Sequence, residues 1–267
     1  MIFKRCKMIG VYFSGTGNTK HCVERFLNGI ESGAEMFALE NPRAAEAVKG
    51  ADEIVFAYPV YYSNMPKIVR DFIIDNAELW RGKRIFIIAT MGAFSGDGTG
   101  CAARLFKKFG AYVTGGLHLK MPDCIGDVKL LKKPLAQNRE LIKKADQKID
   151  KAVASIKRGK YARNGLGIFA HIAGLFGQRL YFSSKTKKYF ANVKSDGEKC
   201  VGCGICAGVC PMQNIKIEDG KAKFNGKCTM CYRCFSNCPK QAITLIGKRV
   251  YEQSKYEKYV DGGEIIE

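Results

Sequence analysis

No apolar run in the 267 residues approaches the roughly 20 needed for a membrane-spanning helix, so none is expected. The opening residues, Met1 to Lys7, have a basic start without a sustained apolar stretch or a small-residue cleavage site. No secretion signal is therefore expected, and the cytoplasm is the expected compartment. Thiols stay reduced there, which sets a disulfide framework aside. Acidic residues are few: 25 Asp and Glu stand against 44 Lys and Arg, a net charge of +19. Between Lys151 and Ser195 there is no acidic residue. A field of that sign suits an anionic partner, yet no motif for reading nucleic acid accompanies it. No acid–base pair marks out a small substrate either.

Cysteine, by contrast, is abundant, with 12 in the chain. Eight stand in two matching runs. One is Cys200, Cys203, Cys206 and Cys210 followed by Pro211; the other is Cys228, Cys231, Cys234 and Cys238 followed by Pro239. Each position of the first run recurs 28 residues later, as do the prolines and Ile215 with Ile243, which marks an internal duplication. A CxxCxxC loop can wrap a cube of iron and sulfide with three thiolates, and the fourth cysteine, just beyond, belongs to the cube of the other half. The expected ligand sets are Cys200, Cys203, Cys206 and Cys238 for one [4Fe–4S] cluster, and Cys228, Cys231, Cys234 and Cys210 for the second. A zinc site would use isolated CxxC pairs and leave the third cysteine of each run unexplained. The stretch resembles the bacterial two-cluster ferredoxins, and Asp219-Gly220 fits the hairpin turn between the halves. Lys199, Lys227 and Arg233 flank the runs, where positive charge favours the reduced clusters, so neutralising them is expected to lower the potentials. Cys6, Cys22, Cys101 and Cys124 are scattered and read as packing residues.

Upstream, Met8 to Phe13 is an unbroken apolar run, the mark of a strand buried on both faces. It leads into Ser14-Gly15-Thr16-Gly17-Asn18-Thr19 and then a helical pattern through Cys22, Val23, Phe26, Leu27 and Ile30. Small and hydroxyl residues between strand and helix make a phosphate cradle, with backbone N–H groups and the helix dipole aimed at the anion. The lysine of a nucleotide-triphosphate loop is missing, and Gly96-Asp97-Gly98-Thr99-Gly100 is not a dinucleotide fingerprint. Further strands are expected at 34–39, 54–58, 84–90 and 112–119, with helices between them and a last amphipathic helix over 134–157.

The phosphate loop resembles that of the flavodoxin family. The resemblance implies an α/β fold: a doubly wound, parallel five-stranded sheet in the order 2-1-3-4-5 that binds FMN at the carboxyl ends of its strands. Pro59, Val60, Tyr61 and Tyr62 after the third strand, and Thr90, Met91, Gly92, Ala93 and Phe94 after the fourth, are similar to the two loops that hold the flavin ring. Met121-Pro122-Asp123-Cys124 after the fifth is similar to a Met-Pro-Asp-Asn sequence of fused relatives, with cysteine in place of asparagine.

The expected organisation is a flavodoxin-like FMN domain over 1–158, a basic connector over 159–194, an α+β two-cluster ferredoxin-like domain over 195–247, and a tail over 248–267. The apolar stretch Gly165 to Phe176 in the connector is expected to pack between the domains; lying on an anionic membrane surface is the second reading. His171 has no ligand-spaced partner, and the tail suggests no role. The whole resembles the fused flavodoxin–ferredoxin proteins of anaerobes. That resemblance implies an electron-transfer flavoprotein with FMN and two [4Fe–4S] clusters, exchanging electrons with a redox partner protein or a small acceptor. Alternative readings are an FMN-dependent reductase of a substrate such as a quinone, and an iron–sulfur regulator that binds nucleic acid.

Overall fold

The computed structural model describes residues 7–61, 64–94, 96–174 and 192–260. Its first part alternates strand and helix: β1 (Met8–Tyr12), α1 (Asn18–Ile30), β2 (Met36–Ala38), α2 (Ala44–Gly50), β3 (Glu53–Pro59), α3 (Lys67–Asp75), β4 (Arg84–Met91), α4 (Gly98–Lys108) and β5 (Tyr112–Lys120). The five strands form one parallel sheet in the order β2-β1-β3-β4-β5. Parallel strands are joined by crossover helices, so both faces are covered and the middles of the central strands are apolar. Ile9, Val11, Ile54, Phe56, Ile85 and Ile87 belong to one core layer; Phe56, Trp80 and Phe106 meet there edge to face. The other layer holds Val55, Phe86, Ile88 and Leu117 against α1 and α5 (Leu135–Ile156). In α5 the inward stripe is Asn138, Ile142, Ala145, Ile149 and Ala152, at the helical spacing that the sequence predicts.

The second part is small. Antiparallel pairs β6 (Lys194–Ser195) with β9 (Ile243–Thr244), and β7 (Ile215–Glu218) with β8 (Lys221–Phe224), flank two short helices, α7 (Ile205–Gly208) and α8 (Arg233–Asn237). The β7–β8 turn has φ +51° at Asp219 and +68° at Gly220, the left-handed pair that a tight hairpin requires.

The connector departs from expectation. Residues 162–164 pair alongside β5: Gly116 N donates to Ala162 O and Asn164 N to Gly116 O, at 2.8 and 2.9 Å. Glycines make room for this, since a Cβ on Gly100 would lie 2.5 Å from Gly165 O. The helix α6 (Ile168–Gly174) then rests on the α4 side of the sheet, with His171 Nδ1 3.0 Å from Asp97 Oδ2. Ile168 is 70 % exposed, Phe169 85 % and Ile172 48 %. The described half of the connector is thus an extension of the first domain, and its largest apolar side chains do not fill a seam between domains. The remainder of the apolar stretch, Leu175 and Phe176, lies outside the described residues.

One contact in this region has a pH consequence. His118 on β5 lies 3.2 Å from Thr99 N through Nε2, under the connector, and burial, followed by the nearby Lys148 charge, pushes its pKa down to about 4. Between that value and the ordinary value near 6.5 the unfolded chain binds a proton that the folded chain refuses. Stability from His118 is therefore complete above about pH 6.5 and is lost as the pH falls toward 4. Urea midpoints measured across this window should fall more steeply for the natural protein than for His118→Gln; parallel profiles would refute the assignment.

Candidate functional site

The carboxyl ends of β1, β3 and β4 open into one cavity of about 1050 Å³. Of the predicted flavin residues, Ser14, Gly15, Thr16, Asn18 and Thr19 line it from the first loop, Pro59, Val60 and Tyr61 from the second, and Thr90, Met91, Gly92, Ala93 and Phe94 from the third. Gly17 is not on the wall; it turns the chain into α1 with φ +92°. Tyr62 lies outside the described residues. The fifth-strand loop adds Met121, Pro122, Asp123, Cys124 and Ile125.

Local chemistry at the first loop suits an anion. Helix α1 starts without a capping side chain, so its first N–H groups are left for a ligand. Ser14 Oγ and Asn18 Oδ1 are buried on the cavity wall with no partner. A buried hydroxyl without a hydrogen bond is costly, and a phosphate oxygen would satisfy it. Thr19 Oγ1 is bonded to Thr90 Oγ1 at 2.8 Å, and Asn18 Nδ2 donates to Pro122 O at 2.9 Å, tying three strand ends together. Away from the loop the wall is apolar and aromatic, as a flat ring requires. Burial pushes the Tyr61 hydroxyl and the Cys124 thiol well above their usual ranges and raises Asp123, so this end of the cavity disfavours added negative charge.

The eight clustered cysteines ring two smaller cavities. Cys200, Cys203, Cys206 and Cys238 line one of about 360 Å³; Cys210, Cys228, Cys231 and Cys234 line the other, of about 320 Å³. The fourth cysteine of each run faces the three of the other. All cysteines among the described residues are free thiols, and no three metal-binding side chains there close on a single ion position. Four sulfurs around an open space suit the dimensions of a cube. Burial pushes Cys228 up to about 11 and Cys231 up to about 12, so these sulfurs need the charge of iron to become thiolates. Cys22 and Cys101 are buried in the first domain, as packing residues; Cys6 lies outside the described residues.

The surprise lies where the two parts meet. Met230 and Tyr232, from the gaps of the second cysteine run, line the large cavity opposite the flavin loops. Between them, the Cys231 carbonyl comes so close to Gly15 that a Cβ there would sit 2.2 Å from its oxygen. Arg233 donates to Ser14 O through Nε and Nη2 at 3.0 and 2.8 Å, pairs with Glu40, and stacks over Phe13. Asp127, 1 % exposed, accepts from Tyr232 OH at 3.0 Å and from the N–H groups of Leu245, Ile246 and Gly247 at 2.7, 2.8 and 3.0 Å. Four hydrogen bonds to one buried carboxylate lock the cluster lobe to the β5 loop. The tail also has a place: Tyr256 N donates to Thr16 O at 2.8 Å and its ring stacks on His21, strapping the phosphate loop from outside.

Two protein-family models match the chain, one described as a flavodoxin domain over residues 9–113 and one as a 4Fe-4S dicluster domain over residues 199–243. Among curated proteins, one component of the Na(+)-translocating ferredoxin:NAD(+) oxidoreductase complex of Acetobacterium woodii is 43% identical over 63 residues, 21% of this chain and 19% of that protein. An uncharacterized ferredoxin of Methanocaldococcus jannaschii is 42% identical over 55 residues, 19% of this chain and 71% of that protein. A component of the NADH-quinone oxidoreductase of Pelobacter propionicus is 30% identical over 81 residues, 24% of this chain and 43% of that protein. The chain spans less than half the length of either of the two complex components it matches. Among solved structures, the two-electron reduced flavodoxin of Megasphaera elsdenii superposes with a TM-score of 0.40 at 24% identity, over 54% of this chain and 99% of that one.

Proposed function

The chain belongs to the fused flavodoxin–ferredoxin proteins, electron-transfer iron–sulfur flavoproteins, and from that premise we propose how its residues divide the work. In the large cavity Ser14, Thr16 and the amides that open α1 would hold the phosphate of FMN, and Tyr61 and the Met91–Phe94 loop would hold its ring. One [4Fe–4S] cluster is held by Cys200, Cys203, Cys206 and Cys238, the other by Cys228, Cys231, Cys234 and Cys210. When bound, the flavin exchanges one or two electrons and each cluster one, which lets a two-electron reaction be met in single steps.

The chain's own contribution is placement. Asp127 and Arg233 fix the second cysteine run against the phosphate loop, and Met230 and Tyr232 exclude water from the wall between them. That shared wall carries the reading: one loop contributes ligands to one cavity and surface to the other. Two of the curated relatives are components of redox complexes by name, and on that ground the partner proposed here is another redox protein. The test is anaerobic purification with iron, sulfide and flavin analysis, followed by visible spectra during stepwise reduction. One flavin with about eight irons per chain is expected; a preparation with full iron that neither contains nor takes up FMN would overturn the reading.

A further inference from the structure

The two cysteine runs share their spacing, and among the residues that differ between them two pairs occupy the same left-handed backbone positions. In the first gap of each run the backbone is left-handed, with φ +67° at Gly202 and +58° at Met230. In the second gap it is left-handed again, with φ +77° at Gly204 and +60° at Tyr232. Elsewhere the repeat keeps the same residue for the same unusual conformation, as Gln213 and Gln241 show, both at φ +48°. Glycine enters this region without penalty, whereas methionine and tyrosine clash with their own backbone there. Such strain persists only where surrounding structure imposes it, and it gathers at functional positions.

Both strained side chains are 1 % exposed, and both line the flavin cavity. Tyr232 is held by Asp127, and Cys231, the residue between the two, is the one that abuts Gly15. The first run shows nothing comparable: Val201 and Ile205 beside its glycines are 59 and 43 % exposed, and none of its residues reaches the flavin cavity.

We propose that FMN affinity is coupled to occupancy of the second-run cluster site and not to that of the first. Iron and sulfide bound by Cys228, Cys231 and Cys234 fix the loop between them, and that loop presents Met230 and Tyr232 to the flavin. Without the cluster the strained backbone relaxes and the wall loosens. Coupling of this kind is reciprocal, so bound FMN also retains the second cluster. The inference rests on the cofactor assignment above.

The experiment measures FMN dissociation constants under argon by flavin fluorescence, with iron counted in every sample. It uses the reconstituted full chain and three variants: Cys210→Ala, Cys238→Ala and the double variant Met230→Gly, Tyr232→Gly. Cys210 lies outside the flavin cavity, so its loss reaches FMN only through the cluster. Cys210→Ala, with half the iron, is expected to bind FMN more weakly by on the order of 5- to 150-fold. The double variant should weaken similarly with iron intact, and Cys238→Ala, also with half the iron, should stay within about twofold. The coupling is overturned if Cys210→Ala loses half its iron yet binds FMN as the natural protein does, or if Cys238→Ala weakens it equally. Full iron in Cys210→Ala would instead overturn the ligand assignment, and the coupling with it.

Discussion

A single methyl group at Gly15 is expected to weaken FMN binding by roughly tenfold or more. The alanine Cβ would lie 2.2 Å from the Cys231 carbonyl oxygen and 3.0 Å from the Tyr61 hydroxyl. The first neighbour is backbone, held against the phosphate loop by Arg233, and it cannot swing aside as a flexible side chain would. The phosphate loop must move instead. Forcing an extra methyl into a packed site costs about 1–3 kcal/mol, and 1.4 kcal/mol is a factor of ten in affinity. Gly50→Ala is the control, because a Cβ there meets nothing within 4 Å. Flavin fluorescence titration reads both; equal affinity for Gly15→Ala and the natural protein would show that loop and cluster lobe do not meet this closely.

Pairs of cysteine variants should reveal crossed ligation through iron content alone. Cys203 and Cys238 face the same cavity although they belong to different runs; Cys203 and Cys210 belong to one run but face different cavities. Each single alanine variant is expected to lose about half the iron and sulfide, one cube of two. Cys203→Ala with Cys238→Ala should lose no more than either alone. Cys203→Ala with Cys210→Ala should lose nearly all. If each run served its own cluster the two doubles would exchange results, so the outcome discriminates between the schemes without any structure of the loaded protein.

Much of this was legible in the sequence, for physical reasons. The apolar run Met8–Tyr12, buried on both faces, and the period of α5 are local consequences of sheet and helix geometry. Cysteine spacing expresses the size of what is wrapped, and the structure gathers the predicted sets around two cavities. The strand β2 is three residues, shorter than the six-residue stretch 34–39, because only Met36 to Ala38 stand in register with β1, with Glu35 and Leu39 making the flanking hydrogen bonds. Helix α4 begins at Gly98, where glycines admit the overlying connector.

What escaped was long-range. Asp127 lies more than a hundred residues from Tyr232 and Leu245, and no pattern around it announces four donors. The tail gives no periodic signal, yet Tyr256 reaches the phosphate loop. The connector reads as apolar and therefore as interdomain filling, although pairing with β5 decides the place of its described half, 159–174. Met230 and Tyr232 did carry a signal: they interrupt a repeat whose other half has glycine at both positions. Only the backbone angles show why that difference is costly.

The claim on which the rest depends is that flavin site and second-run cluster site share a wall within one chain. Flash reduction of the fully loaded protein, followed at the visible absorbance of the clusters, tests it most directly. Redistribution of electrons between the two cofactor types at a rate independent of protein concentration is the predicted result. A rate that rises in proportion to concentration would mean that exchange occurs between molecules, and would contradict the account.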